Sequence, residues 1–111
     1  MNNIHELIDL LKLEKLSDSV FLGQNYLAPW KRVFGGQVLA QSLSAAQQTV
    51  DPERISHSMH AYFLLAGDIN IPIVFEVEKI RDGGSFSTRR VVAKQNGIAI
   101  FFICDVSFMA Q

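Results

Sequence analysis

Near the amino terminus the apolar residues recur at helical spacing. Ile4, Leu7, Ile8 and Leu11 fall at i, i+3, i+4 and i+7, and Leu10, Leu13 and Leu16 extend that face. Asn3 and Glu6 have the spacing of a capping box. The pattern predicts a short amphipathic helix, marginal alone, that must dock its apolar face on the main body. Val20 to Gln24 reads as a strand, and Tyr26 to Arg32, with Pro29 and Trp30, as a loop.

From Phe34 to Val50 no residue is charged. Leu39, Leu43, Ala46 and Val50 share one helical face, Gly35-Gly36 opens the segment, and Asp51-Pro52 closes it. A helix whose polar residues are only Gln, Ser and Thr is not built for a solvated surface, so the rest of the chain is expected to wrap it.

Beyond it the period changes to two. His57 to Leu64 and Ile73 to Ile80 alternate as strands, the second with Ile73, Phe75 and Val77 on one face. Asp68 to Pro72 reads as a turn region between them. Asp82-Gly83-Gly84 signals a hairpin turn into a strand over Phe86 to Lys94. Asn96-Gly97 signals another, because a type I′ turn needs positive φ at both central residues. Ile98 to Phe108 is apolar almost throughout and reads as a strand covered on both faces, the outer one by a second sheet or subunit. The order is helix, strand, long helix, strand and three-stranded meander. It is an α+β layer of antiparallel sheet against one helix, one domain over residues 1–111.

Composition narrows the function. The 111 residues are 49% hydrophobic and 19% charged with a formal net charge of -1, which excludes disorder and argues against nucleic acid as partner. One cysteine, Cys104, excludes an internal disulfide and a cysteine-based zinc site. No long uncharged apolar stretch spans a membrane, and no basic leader with an apolar core opens the chain, so a cytoplasmic protein is expected.

Chemistry has few places to reside. At Gly35-Gly36-Gln37 the free N–H groups of a helix start could meet a carbonyl oxygen as charge develops on it, or the glycines could simply make room for a tight turn. His57 and His60, three apart on a strand, point to opposite faces, so one could face a cleft while they cannot share a metal. Arg89 and Arg90 also diverge. One is expected to pair with Glu76 or Glu78 across the meander, and the other could meet a phosphate or a partner chain. The uncharged helix offers no general base, and no G-x-S-x-G or phosphate-loop motif occurs.

Three blocks, in order, resemble one family. Val33-Phe34-Gly35-Gly36-Gln37-Val38-Leu39-Ala40-Gln41 is similar to the motif that opens the long helix in acyl-CoA thioesterase II. His57 to Leu64 with Gly67-Asp68 resembles the family's next strand and turn, and Arg81 to Val91 its third signature. The resemblance implies a hotdog fold, a sheet curled around one helix, and hydrolysis of fatty acyl-CoA to free acid and CoA without a metal or other cofactor. It covers the amino-terminal half of a double-hotdog enzyme. The family's catalytic Asp, Ser/Thr and Gln lie in the other half, and Gln37 stands where the catalytic Asp would be, so no catalytic residue is carried over to this chain. A supporting role near the acyl-CoA substrate falls to Gly36, Gln37, His57 and His60. The implied partner is a second hotdog domain, or further copies in a homo-oligomer. A non-catalytic acyl- or CoA-binding or pairing module is the alternative. A hotdog dehydratase would need a helix carboxylate and a correctly placed histidine for proton transfer.

Overall fold

The computed structural model describes residues 11–24, 35–64, 67–68, 70–95 and 99–110. Most of the expected first helix, the loop at 26–32 and the Asn96-Gly97 turn lie outside them. Leu16, assigned above to the helix face, stands instead in a strand and is exposed.

The elements are β1 (Glu14–Ser17), β2 (Val20–Gly23), α1 (Gly35–Gln47), β3 (Ile55–Phe63), β4 (Ile73–Asp82), β5 (Phe86–Gln95) and β6 (Ala99–Met109). The strands form one antiparallel sheet in the order β1-β2-β4-β5-β6-β3. The strand last in that order, β3, is therefore an edge. Helix α1 lies on one face and packs on β2, β4, β5 and β6, the arrangement that the resemblance implies.

The core fills the space between helix and sheet. Phe21, Ile73, Phe75, Val77, Val91, Ala93, Phe102, Cys104, Val106 and Phe108 come from the strands, and Val38, Ala45 and Ala46 from the helix. The deepest helical stripe is Val38, Gln41, Ser42 and Ala45, whereas Leu39 and Leu43 are only partly buried. The buried face is thus turned from the leucine stripe toward small and polar side chains, which let the helix lie close to the sheet.

The alternation on β4 holds: Ile73, Phe75 and Val77 are buried and the residues between them are not. On β6 the expectation of two apolar faces fails. Phe102, Cys104, Val106 and Phe108 point to the helix, while Ile103, Asp105 and Ser107 between them are half-buried on the outer face. The outer face also carries ion pairs, Arg90 to Asp105 at 2.8 Å and Lys94 to Glu76 at 3.1 Å. The strand is apolar in total, but its polar positions Asp105 and Ser107 both belong to one face.

Candidate functional site

The register places the start of α1 and its end over opposite ends of the sheet. Side chains of the first two helical turns reach Gln24, just past β2, whose last residue Gly23 pairs with Ile73 at the start of β4. The helix's exit lies over the β4–β5 hairpin.

At the start, Gly36 is exposed and Gln37 is buried, as the uncharged run led one to expect. The first turn contains no acidic residue. The Gln37 carboxamide donates one N–H to the Gln24 carbonyl at 3.2 Å and the other to Gln41 Oε1 at 3.1 Å. Gln41 donates to the same carbonyl at 2.8 Å. Both N–H donors of Gln37 are thus engaged within the chain. Gly23 permits this approach, since a Cβ there would stand 2.8 Å from Phe75 and 3.1 Å from the Gln41 amide. Nearby, Gln95 clasps the turn before β4. It accepts from the Asp68 N–H and donates to the carbonyls of Asp68 and Ile71.

The histidines are elsewhere. Met59 and Ala61 pack on the core, so His60 points to the outer face, opposite Asp105 in register. A bulge between Ser56 and Ser58 inserts His57 as an extra residue. His57 Nε2 lies 2.8 Å from Ser107 Oγ on the outer face, and its ring is 5.6 Å from that of Phe86. Both histidines therefore share one face, contrary to the expectation from a regular strand. They lie across the sheet from the helix, and His57 is at the hairpin end. The structure brings Gly36 and Gln37 together but does not join either histidine to them.

Arg89 and Arg90 diverge as expected, but their partners differ from those expected. Arg90 turns to Asp105 on β6 although Glu78 is its register partner on β4. The Asp105 hydrogen bond raises the Arg90 pKa further. Arg89 is 1% exposed, and its acceptors are not glutamates. It donates from Nε to Thr49 Oγ1, from Nη1 to the carbonyls of Arg81 and Thr88, and from Nη2 to the Thr49 carbonyl and Asp82. A guanidinium has five N–H groups, and five acceptors surround this one. It also brings positive charge to the carboxyl end of the helix. The Arg89 hydrogen bond, more than any other contact, holds the Asp82 carboxyl below the usual carboxylate range. Arg54 adds bonds to Ser87 Oγ and to the carbonyls of Gly83 and Gly84. This anchor escaped the sequence reading because three of its five acceptors are main-chain carbonyls, two within the sheet at Arg81 and Thr88 and one at the helix exit at Thr49.

Cys104 is fully buried, as a small apolar residue would be. Burial pushes its thiol up to about 11, against a smaller opposing effect of Ser42. Among the described residues no group of His, Cys, Asp and Glu could hold a metal ion, and no helix is long and apolar enough to cross a membrane.

Known proteins share this pattern. The family model for the acyl-CoA thioesterase N-terminal domain matches residues 26–109. Acyl-CoA thioesterase 2 of Haemophilus influenzae is 50% identical over 93 residues, covering 84% of this chain and 32% of that protein. Acyl-coenzyme A thioesterase 8 of Homo sapiens is 46% identical over 99 residues, covering 89% and 31%. The chain thus spans about a third of the length of these relatives. The solved structure of a tesB protein from Mycobacterium avium subspecies paratuberculosis superposes with a TM-score of 0.93 at 38% identity, covering 98% of this chain and 44% of that one. A Thermus thermophilus protein covers both chains fully with a TM-score of 0.80 at 14% identity, a likeness of fold alone. The hotdog fold and the three sequence blocks agree, and the chain belongs to the acyl-CoA thioesterase N-terminal domain family.

Proposed function

We propose that this chain is the amino-terminal hotdog of a cytoplasmic double-hotdog thioesterase that hydrolyses fatty acyl-CoA to free acid and CoA. On this reading it is the half that supplies structure and substrate contacts rather than the reacting groups. The observation that carries the assignment is the start of α1. Gln37 is buried there, its carboxamide bonded to the Gln24 carbonyl and to Gln41, and no acidic residue stands in the first turn. A carboxamide cannot accept the proton of an attacking water, so a general base must come from elsewhere. Gly36 and Gln37 contribute main-chain N–H groups beside the thioester, where partial positive charge favours a developing oxyanion. His57 and His60 contribute only if substrate reaches the outer face near β3.

The second domain or copy has a natural place. The edge strand β3 carries exposed Ile55 at one end and exposed Tyr62 and Phe63 at the other, followed by Leu64, with Tyr62 63% exposed. An edge strand offers unpaired main-chain groups as a template for another strand. Antiparallel pairing with a second β3 would set the Tyr62-Phe63 end of each strand against the Ile55 end of the other. Light scattering at micromolar concentration is expected to give at least a dimer mass, lost when Tyr62 and Phe63 are changed to Lys. A monomeric mass for the unaltered chain contradicts the self-pairing form of the reading. The catalytic form is tested by mixing the chain with a second hotdog domain whose helix start carries an Asp. Release of CoA from palmitoyl-CoA is expected from the mixture, and its failure in a stable complex would contradict the proposal.

A further inference from the structure

The helix-opening motif contains two glutamines four residues apart, Gln37 and Gln41, and they lie on one helical face. Both are buried. With the Gln24 carbonyl they close a triangle in which each corner bonds the other two. A carbonyl oxygen has two lone pairs, and both donors converge on this one. Gly23 adds the steric half of the junction, because any larger residue would drive β2 away from Phe75 and Gln41.

We propose that Gln37 and Gln41 act as one positioning pair. They bind the chain just beyond β2 to the first two turns of α1 and so fix the aim of the helix's leading N–H groups. The pair does its work with neutral donors. A carboxylate at position 37 would face the Gln24 carbonyl and the Gln41 Oε1 with no proton to give either. The Gln37 side chain is therefore an internal brace, and any contact with substrate passes through the main chain at Gly36 and Gln37. That last step rests on the thioesterase reading, whereas the brace itself does not.

Two measurements on the intact chain separate these claims. In heteronuclear NMR the side-chain amide nitrogens of Gln37 and Gln41 should each show a through-hydrogen-bond correlation to the Gln24 carbonyl carbon. The variants Gln37→Met and Gln41→Met keep approximate volume. Each should lose its own correlation and speed amide exchange at residues 20–24 and 35–41 by about tenfold, the scale of one lost buried hydrogen bond. Residues in β5 and β6 should keep their protection, showing that the fold persists. Because the Gln37–Gln41 bond is counted in both singles, the double variant should exchange more slowly than the product of the singles by roughly threefold or more. If Gln41→Met does not fold, Gln41→Glu, which keeps shape and acceptor but not the donor, takes its place. Absent correlations, unchanged exchange in the singles, or strict additivity would overturn the brace. Affinity for a non-hydrolysable acyl-CoA thioether gives the second arm. A fall of about tenfold in Gln41→Met, matching the lost bond, is expected. Thioether binding that the variant leaves unchanged overturns the link to substrate. No binding by the unaltered chain counts against the thioesterase reading, while the correlations and exchange still decide the brace.

Discussion

At the carboxyl end of α1 a guanidinium is buried among five acceptors, while at the amino end two carboxamides converge on one carbonyl. The first junction is charged and ties the helix to the β4–β5 hairpin; the second is neutral and ties it to the strand end at Gly23-Gln24. The inner face of β5 shows the same division within one strand. Ser87 and Arg89 lie at the hairpin end, Val91 and Ala93 in the middle, and Gln95 at the other end, all buried. The difference teaches where charge is used. Arg89 can be buried because every N–H finds an acceptor, so its burial serves the fold. The helix start, where the proposed substrate would lie, has no acidic residue in its first turn and is braced by the Gln37 and Gln41 carboxamides. The charged signature of the chain marks a structural knot, and its neutral signature marks the end nearest the proposed substrate.

The largest expected effect comes from breaking the charged end. Arg89→Met should cost about 3 kcal/mol in urea unfolding, since it empties a fully buried position, orphans the Thr49 and main-chain acceptors and uncaps the helix. Arg89→Lys should recover only part of this, because an ammonium cannot span five acceptors. A loss below the usual value for a surface change would mean that the knot is ornamental. The neutral end is broken sterically by Gly23→Ala, which places a Cβ 2.8 Å from Phe75. Overpacking of this kind costs about 1–3 kcal/mol, and the exchange of amides in β2 should report it before those in β5.

The smallest effect separates the two ends by pH. The Arg89 hydrogen bond lowers the folded pKa of Asp82 below its unfolded value, so its contribution is present above the unfolded value and fades as pH falls through the folded one. The side chain is 58% exposed, so the effect should be only a few tenths of a kcal/mol after screening. Asp82→Asn should flatten this part of the acid limb, and Gln37→Met should leave its slope unchanged.

Much of the architecture was legible because burial follows period. The alternation of Ile73, Phe75 and Val77 marked β4, and the absence of charge from Phe34 to Val50 marked a wrapped helix. Three things were not legible, each for a physical reason. A β-bulge adds a residue without changing composition, so the common face of His57 and His60 could not be read from their spacing. A central strand has two neighbours, so Arg90 had a choice between Glu78 and Asp105 that sequence does not resolve. The acceptors of Arg89 and Gln37 include main-chain carbonyls, which carry no mark of residue type. Of the site, the burial of Gln37 was foreseen from the uncharged run, and its closed bonding to Gln41 and Gln24 was not.

The most direct test of the central claim is steady-state release of CoA from palmitoyl-CoA by this chain alone, measured beside His57→Ala and His60→Ala. The account predicts turnover indistinguishable from the uncatalysed rate for all three, because the helix start has no base and the histidines stand on the opposite face. Robust turnover by the unaltered chain, abolished by either histidine substitution, would contradict it.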